Sequence, residues 1–222
     1  MGGKIMKKII SIKDAVAKIE DGMTIMVGGF LAVGTPELLI DALVEKGVKN
    51  LTIICNDTGY PDRGVGKLVV NGQVKKVYAS HIGTNPETGR LMTTKEMDVE
   101  LVPQGTLAER VRSGGAGLGG FLTPTGIGTI VEEGKEILTV DGKQYLLEKP
   151  LKADIALVLG SKVDKKGNIY YYESTRNFNP LIATAAETVI VQAEELVEVG
   201  ELDPNFVMTP HIFVDYIVEG GK

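Results

Sequence analysis

Short apolar runs that stop at a glycine or polar turn and give way to a helical pattern recur through the first half of the chain, and this alternation restricts the fold most. Thr24–Val27 is the first such run. It ends at Gly28-Gly29, after which Thr35 as cap and Pro36 in the first turn open a helix that closes at Gly47. Leu51–Cys55 is a second strand, ending in the polar turn Asn56-Asp57-Thr58-Gly59. Val77–Ser80 and Val99–Val102 repeat the pattern, the latter followed by a helix over Thr106–Arg112. Ahead of them, Ser11 caps a helix that carries Ile12, Val16 and Ile19 at helical spacing and stops at Asp21-Gly22. Strands alternating with helices build a parallel sheet covered by helices. Such sheets bind ligands outside the carboxyl ends of their strands, so the loops beginning at Gly28, Asn56, His81 and Pro103 are expected to line one crevice.

The second half differs. Ile137–Val140, Asp141-Gly142 and Gln144–Leu147 give a two-residue hairpin, because Asp-Gly suits the positive φ angles that a type I′ turn demands. Beyond it, Ile155–Leu159, a turn at Lys166-Gly167, a helix around Pro180–Ala186 and the run Thr188–Val191 return to the mixed pattern. The predicted fold class is α/β: an open, mostly parallel sheet with flanking helices and an antiparallel hairpin insertion. With no internal repeat and no proline- or serine-rich linker, residues 1–222 read as one domain.

A net charge of -5, with acids and bases interspersed, gives no electrostatic case for nucleic acid or an anionic membrane surface. Partners are therefore expected among small molecules and proteins. Cys55, the single cysteine, lies in an apolar run and reads as a small core hydrophobe. Met1–Ile10 is basic but has neither a long apolar stretch nor a small-residue cleavage site, so it is read as neither signal peptide nor membrane span, and a cytoplasmic location is expected.

Gly115-Ala116-Gly117-Leu118-Gly119-Gly120 satisfies the G-x-G-x-x-G pattern of dinucleotide-binding loops. That fingerprint needs a strand before it and a helix after it, so that a pyrophosphate meets a helix amino end. Here a helix precedes it and turn formers follow, so the dinucleotide reading is rejected. The glycines from Ser113 to Gly128 instead let a ligand or second chain approach the backbone, and Leu118, Phe121 and Ile127 argue for a packed loop. His81 and His211 are the only histidines and form no ligand-spaced cluster, so no metal is expected. Glu132, Glu133 and Glu173 lie among polar neighbours, where a solvated carboxylate is the default.

Longer blocks carry a resemblance. Asp21-Gly22-Met23-Thr24-Ile25-Met26-Val27-Gly28-Gly29-Phe30-Leu31-Ala32-Val33-Gly34-Thr35-Pro36 resembles the amino-terminal signature of family I (3-oxoacid type) coenzyme A transferases. Glu100–Arg110 with its Pro103-Gln104-Gly105, the run Ser113–Gly117, and Ser174-Thr175-Arg176-Asn177-Phe178-Asn179 are similar to the same family. The likeness extends from about Met6 to Val218 and covers the alpha half of such enzymes, looking nearest to the acetate/butyrate–acetoacetate transferases.

The resemblance implies the coenzyme A transferase / sugar-phosphate isomerase-like fold, and transfer of CoA between a short-chain acyl-CoA and a carboxylic acid such as acetoacetate. It implies no permanently bound cofactor, with coenzyme A as a substrate. It also implies a beta subunit in an alpha2beta2 assembly, because the family's nucleophile is a glutamate in a Ser-Glu-Asn-Gly type motif that this sequence lacks. Gln104 matches the family's oxyanion or carboxylate donor and is the catalytic candidate. Gly28, Gly29, Phe30 and Gly34 of the first loop, Asn56, Gly115 and Gly117 are the substrate-binding candidates, with the amino end of the Thr35–Lys46 helix offering unpaired N–H groups to an anion. The alternative is a non-catalytic anion or sugar-phosphate sensor of related fold. A third reading, service in a lyase or decarboxylase complex, differs only in partner.

Overall fold

A computed structural model describes residues 9–220. Most of the Met1–Ile10 segment therefore lies outside the described residues. The Ser11 hydroxyl accepts from the Asp14 amide at 3.0 Å and caps α1 (Ile12–Ala17). The first half then runs β1 (Thr24–Val27), α2 (Glu37–Lys46), β2 (Leu51–Ile54), α3 (Gly66–Val70), β3 (Val74–Ala79), α4 (Pro86–Thr94), β4 (Asp98–Leu101) and α5 (Gln104–Gly115). The second half has β5 (Phe121–Thr123), β6 (Ile137–Val140), β7 (Lys143–Glu148), β8 (Ala153–Asp164), β9 (Ile169–Tyr170), α6 (Asn179–Ile182), β10 (Ala186–Val197) and β11 (Tyr216–Glu219).

The large sheet has the order β11-β10-β8-β1-β2-β3-β4, with β9 added antiparallel to β8 and all other pairs parallel. After β1 the chain lays strands outward on one side, and from β8 it continues on the other. The switch point is thus the β1–β8 pair, where a doubly wound sheet opens a crevice. Side chains alternate between two cores. Ile25, Val27, Ile53 and Val77 pack with Ala15, Leu39, Ile40, Leu43 and Leu68 of α1, α2 and α3, whereas Met26, Ile54, Ala156 and Val158 pack with Leu107, Val111 and Ile182 of α5 and α6. Burial on both faces explains why these strands read as unbroken apolar runs. Cys55 is a fully packed member of the first core, and burial, reinforced by the Asp57 carboxylate, pushes its thiol well above the usual range. It is no nucleophile.

The hairpin forms as predicted, with Asp141 at φ 50° and Gly142 at φ 76° in its turn, and β5 extends it into a three-stranded antiparallel sheet of order β5-β7-β6. Glu148, buried at the end of β7, is held by Lys135 at 2.5 Å and faces Arg110 of α5 at 3.9 Å, while Arg110 also pairs with Glu100 of β4 at 2.7 Å. This ion network ties the insertion to the main sheet.

Several boundaries differ from the sequence reading, each for a local reason. Pro36, not Thr35, occupies the cap of α2, and the Thr35 hydroxyl instead donates to the Gly28 carbonyl at 3.1 Å. The helix expected over Pro180–Ala186 is only Asn179–Ile182, because Ala186 already belongs to β10. β8 and β10 run on beyond their apolar segments because cross-strand charges continue the pairing: Lys162 with Glu195 at 3.1 Å, and Lys165 with Glu198. α3 is five residues long and α4 has one buried residue, Thr88, so neither shows an apolar stripe. Among the described residues, no helix is long and apolar enough to cross a membrane, and no acid, histidine and cysteine cluster could hold a metal ion.

Candidate functional site

Strand register builds the site. Met26, Ile54, Tyr78 and Glu100 form one row across β1, β2, β3 and β4. Two residues further along three of these strands come Gly28, Asn56 and Ser80, at the carboxyl ends and, by the period of two, on the face covered by α5 and α6. Gln104, the first residue of α5, reaches back over this row. A cleft of about 660 Å³ opens here, lined by Phe30, Asn56, Gln104, Gly115, Arg112 and Arg176 among others.

The polar groups at the cleft floor form a directed chain. The Ser80 hydroxyl donates to Gln104 Oε1, Gln104 Nε2 donates to Asn56 Oδ1 at 2.7 Å, and Asn56 Nδ2 donates to the Gly29 carbonyl at 2.7 Å. Asn56 is buried at 3% exposure, whereas Gln104 is exposed. One amide N–H of Gln104 is committed to Asn56, and the second has no hydrogen-bond partner among the described residues. No side chain caps α5, so the positive end of that helix sits under the same amide.

The first loop closes the cleft from above through a tight turn. Phe30 and Val33 bridge across Leu31 and Ala32, which take φ values of 48° and 68° without being glycine. Such strain, on the order of 1–3 kcal/mol per residue, persists only where the surroundings over-determine it. Here the buried Asp57 accepts from the Leu31 amide at 2.9 Å, and Asn177 Nδ2 donates to the Val33 carbonyl at 2.9 Å. The turn holds Phe30 half exposed on the cleft wall.

The predicted site residues therefore separate into groups. Gln104, Asn56, Phe30 and Gly115 meet at the cleft. Gly28, Gly29 and Gly34 lie behind it with their surroundings filled: a Cβ on Gly28 would sit 1.8 Å from Asn179 Oδ1, and one on Gly34 (φ 79°) 2.7 Å from the Thr175 carbonyl. The Gly28 and Gly29 amides donate to Leu157 O and Asn177 Oδ1. Gly117 faces a separate cleft of about 400 Å³ beside Thr24 and Glu187. The reading that α2 offers open N–H groups to an anion is corrected: the buried Gln192 side chain of β10 accepts from the Leu38 and Leu39 amides at 3.0 and 3.3 Å. Of the four loops expected to line the crevice, that starting at His81 contributes through the preceding Ser80. The glycine run Gly115–Gly120 follows a helix and precedes β5, the reverse of a dinucleotide loop.

Arg112, Arg176, Ser80 and Asn179 belong to this region and were not nominated from sequence. Arg112 and Arg176 both line the cleft, Arg112 with its Nε paired to the neighbouring Glu109 at 3.0 Å, and among the described residues no carboxylate belongs to the lining. Glu173 lies exposed in the short turn Glu173–Arg176 that also carries Arg176, but is not itself among the lining residues, and Glu132 accepts from the Gly128 amide at 2.6 Å.

Comparison with known proteins decides the family. The profile described as coenzyme A transferase matches residues 9–220. The chain belongs to that family. Acetate CoA-transferase subunit alpha of Escherichia coli (strain K12) is 60% identical to this coenzyme A transferase chain over 95% of it and 96% of the relative. The acetoacetyl-CoA:acetate/butyrate CoA transferase alpha subunit of Clostridium acetobutylicum is 55% identical over 96% and 97%. An acyl-CoA transferase from Escherichia coli O157:H7, solved as a thioester complex with CoA, superposes with a TM-score of 0.86 at 26% identity. That match covers 99% of this chain and 48% of the longer one, so the coenzyme A transferase chain described here spans about half of that relative.

Proposed function

We propose that this chain is the alpha subunit of a two-subunit coenzyme A transferase that moves CoA between a short-chain acyl-CoA (acetyl-, butyryl- or succinyl-CoA) and a carboxylic acid such as acetoacetate. The observation that carries this reading is an exposed, hydrogen-bonded amide at Gln104 on a cleft with two arginines and no carboxylate. The cleft can steady negative charge but has no acid of its own to attack with. The nucleophilic glutamate then comes from a beta subunit, in an alpha2beta2 assembly in which residues 1–222 act as one domain. The high identity to named alpha subunits over nearly their whole length supports this division of labour.

The chemistry runs in two exchanges. The partner's glutamate attacks the acyl-CoA carbonyl, the carbon–sulfur bond breaks, and an acyl-glutamyl anhydride and CoA thiolate result. The thiolate attacks the glutamyl carbonyl, giving a glutamyl-CoA thioester and releasing the first carboxylate. A second carboxylate reverses the sequence and leaves with the CoA. Each attack passes through a tetrahedral oxyanion, which gains more from a fixed N–H donor than the flat carbonyl does. Gln104 is suited to that task because a neutral amide does not quench the attacking glutamate with a permanent charge. The relative solved as a CoA thioester supports a thioester stage.

Two experiments test the assignment. Treating the assembled complex with acyl-CoA and then borohydride should reduce the thioester and mark an acid in the partner; a modified acid within this chain overturns the reading. Arg176→Ala should raise KM for the anionic substrates about tenfold while kcat changes less, since a charge-assisted contact made equally in ground and transition states acts on binding. The sugar-phosphate sensor alternative draws on glycine loops and open helix amino ends; Gln192 fills the one at α2, and the uncapped one at α5 lies under Gln104.

A further inference from the structure

We propose that Ser80 is a positioning residue that sets the orientation of the Gln104 amide and strengthens its free N–H as a donor. This rests on the reading of Gln104 as the oxyanion donor. The two ends of a glutamine amide have nearly the same shape, so packing alone does not decide which end faces the cleft. Hydrogen-bond partners must decide it, and here they do so in sequence from a fixed point.

That point is the Gly29 carbonyl, which can only accept. Asn56 must therefore turn its NH2 toward Gly29, as it does at 2.7 Å, and its oxygen toward Gln104. That oxygen selects the NH2 of Gln104, at 2.7 Å, and leaves Gln104 Oε1 facing Ser80. The hydroxyl of Ser80 completes the series by donating. Its other neighbour is the Asn56 carbonyl at 2.8 Å, which already receives the backbone amides of Ser80 and His81 at 2.9 and 3.3 Å. The single hydroxyl proton is thus needed at Gln104.

The sheet explains why Ser80 can reach both residues. β3 lies between β2 and β4, so the residue just past its end hangs between the loops that carry Asn56 and Gln104. Two effects on Gln104 follow. An exposed glutamine at a helix start loses rotamer freedom on binding, and a bond at Oε1 removes that freedom beforehand. Accepting a proton at Oε1 also draws electron density from the amide nitrogen, so the remaining N–H becomes a better donor when the oxyanion forms. Ser80 touches no reacting atom, and it acts through Gln104.

Kinetics of the complex reconstituted from the full chain and its beta subunit test this. Ser80→Ala should lower kcat about tenfold with KM within twofold, the scale of losing one neutral hydrogen bond. Ser80→Thr, which keeps the hydroxyl, should restore most of the rate, and Ser80→Cys, a weak donor of similar size, should fall between. On a Gln104→Ala background, Ser80→Ala should cost less than a further twofold. An unchanged kcat for Ser80→Ala beside a crippled Gln104→Ala overturns the role of Ser80 alone. A full tenfold loss persisting on the Gln104→Ala background does the same, because Ser80 then acts elsewhere. If Gln104→Ala itself is unimpaired, the oxyanion reading fails and this inference goes with it. Should Ser80→Ala not assemble, the Thr and Cys variants still decide, since equal rates in both overturn the proposal.

Discussion

Gln104→Ala is expected to lower kcat of the assembled enzyme by about 10²–10³, equivalent to roughly 3–4 kcal/mol of transition-state stabilisation, the usual cost of one oxyanion donor. Geometry argues for the upper part of that range. Alanine removes the side-chain donor and leaves Asn56 Oδ1, which is buried, without the N–H that now meets it at 2.7 Å. KM should move little, because the lost bond forms mainly in the transition state. Stability should fall by no more than about 1–3 kcal/mol, the cost of one unpaired acceptor at Asn56, since Gln104 itself is exposed and its Cα lies in the first turn of α5, where alanine is a good helix former. Gln104→Glu should be no better than alanine: it keeps the length but sets one carboxylate oxygen against Asn56 Oδ1 and brings negative charge to the forming oxyanion. Steady-state kinetics with matched thermal melts check both variants. A kcat within threefold of the parent removes Gln104 from the mechanism.

Much of this arrangement is legible in the sequence because the parallel sheet has a fixed period and a fixed rule for its loops. Thr24–Val27 and Leu51–Cys55 are buried on both faces, so they appear as apolar runs, and the residues that follow them fall at the carboxyl ends of the strands, where such a sheet opens its crevice. Ser80 was legible in principle. It stands after Tyr78-Ala79 as Asn56 stands after Ile54-Cys55, and only the register of β2 against β3 turns that likeness into a contact. What sequence could not show is long-range closure. Gln192 caps a helix 154 residues away, and Asn177 and Asn179 reach back to the first loop from beyond β9. A polar residue gives no sign of which distant backbone groups it will satisfy. The same blindness made the glycines of the first loop look like substrate contacts. Their small size is equally well explained by neighbours: Asn179 and Thr175 press against Gly28 and Gly34 from the other half of the chain, and Thr35 against Gly29.

Asn179→Ala should destabilise the chain by about 3–5 kcal/mol, because the loss of two or three buried partners costs roughly 1–3 kcal/mol each. Asn179 is fully buried at the start of α6 and uses its whole side chain. Oδ1 accepts from the Leu159 amide of β8 at 3.0 Å, and Nδ2 donates to the Gly34 carbonyl at 2.8 Å and the Thr175 carbonyl at 2.9 Å. One residue thus joins β8, the strained loop after β1 and the turn that carries Arg176. Water cannot readily replace it, since Gly34 is buried and Leu159 nearly so. For a chain of this size the loss corresponds to a fall of roughly 10 °C in melting temperature. Asn179→Asp should do no better, because a carboxylate keeps the acceptor for Leu159 but turns an oxygen on two carbonyls. Gly28→Ala probes the same joint from the other side and should also be destabilising, its Cβ lying 1.8 Å from Asn179 Oδ1. Thermal melts of the three variants decide the matter: a shift below about 2 °C for Asn179→Ala means the first loop does not depend on this asparagine. Loss of the joint should also slow turnover, because the loop that holds Phe30 over the cleft and supplies the Gly29 carbonyl to Asn56 is the one released.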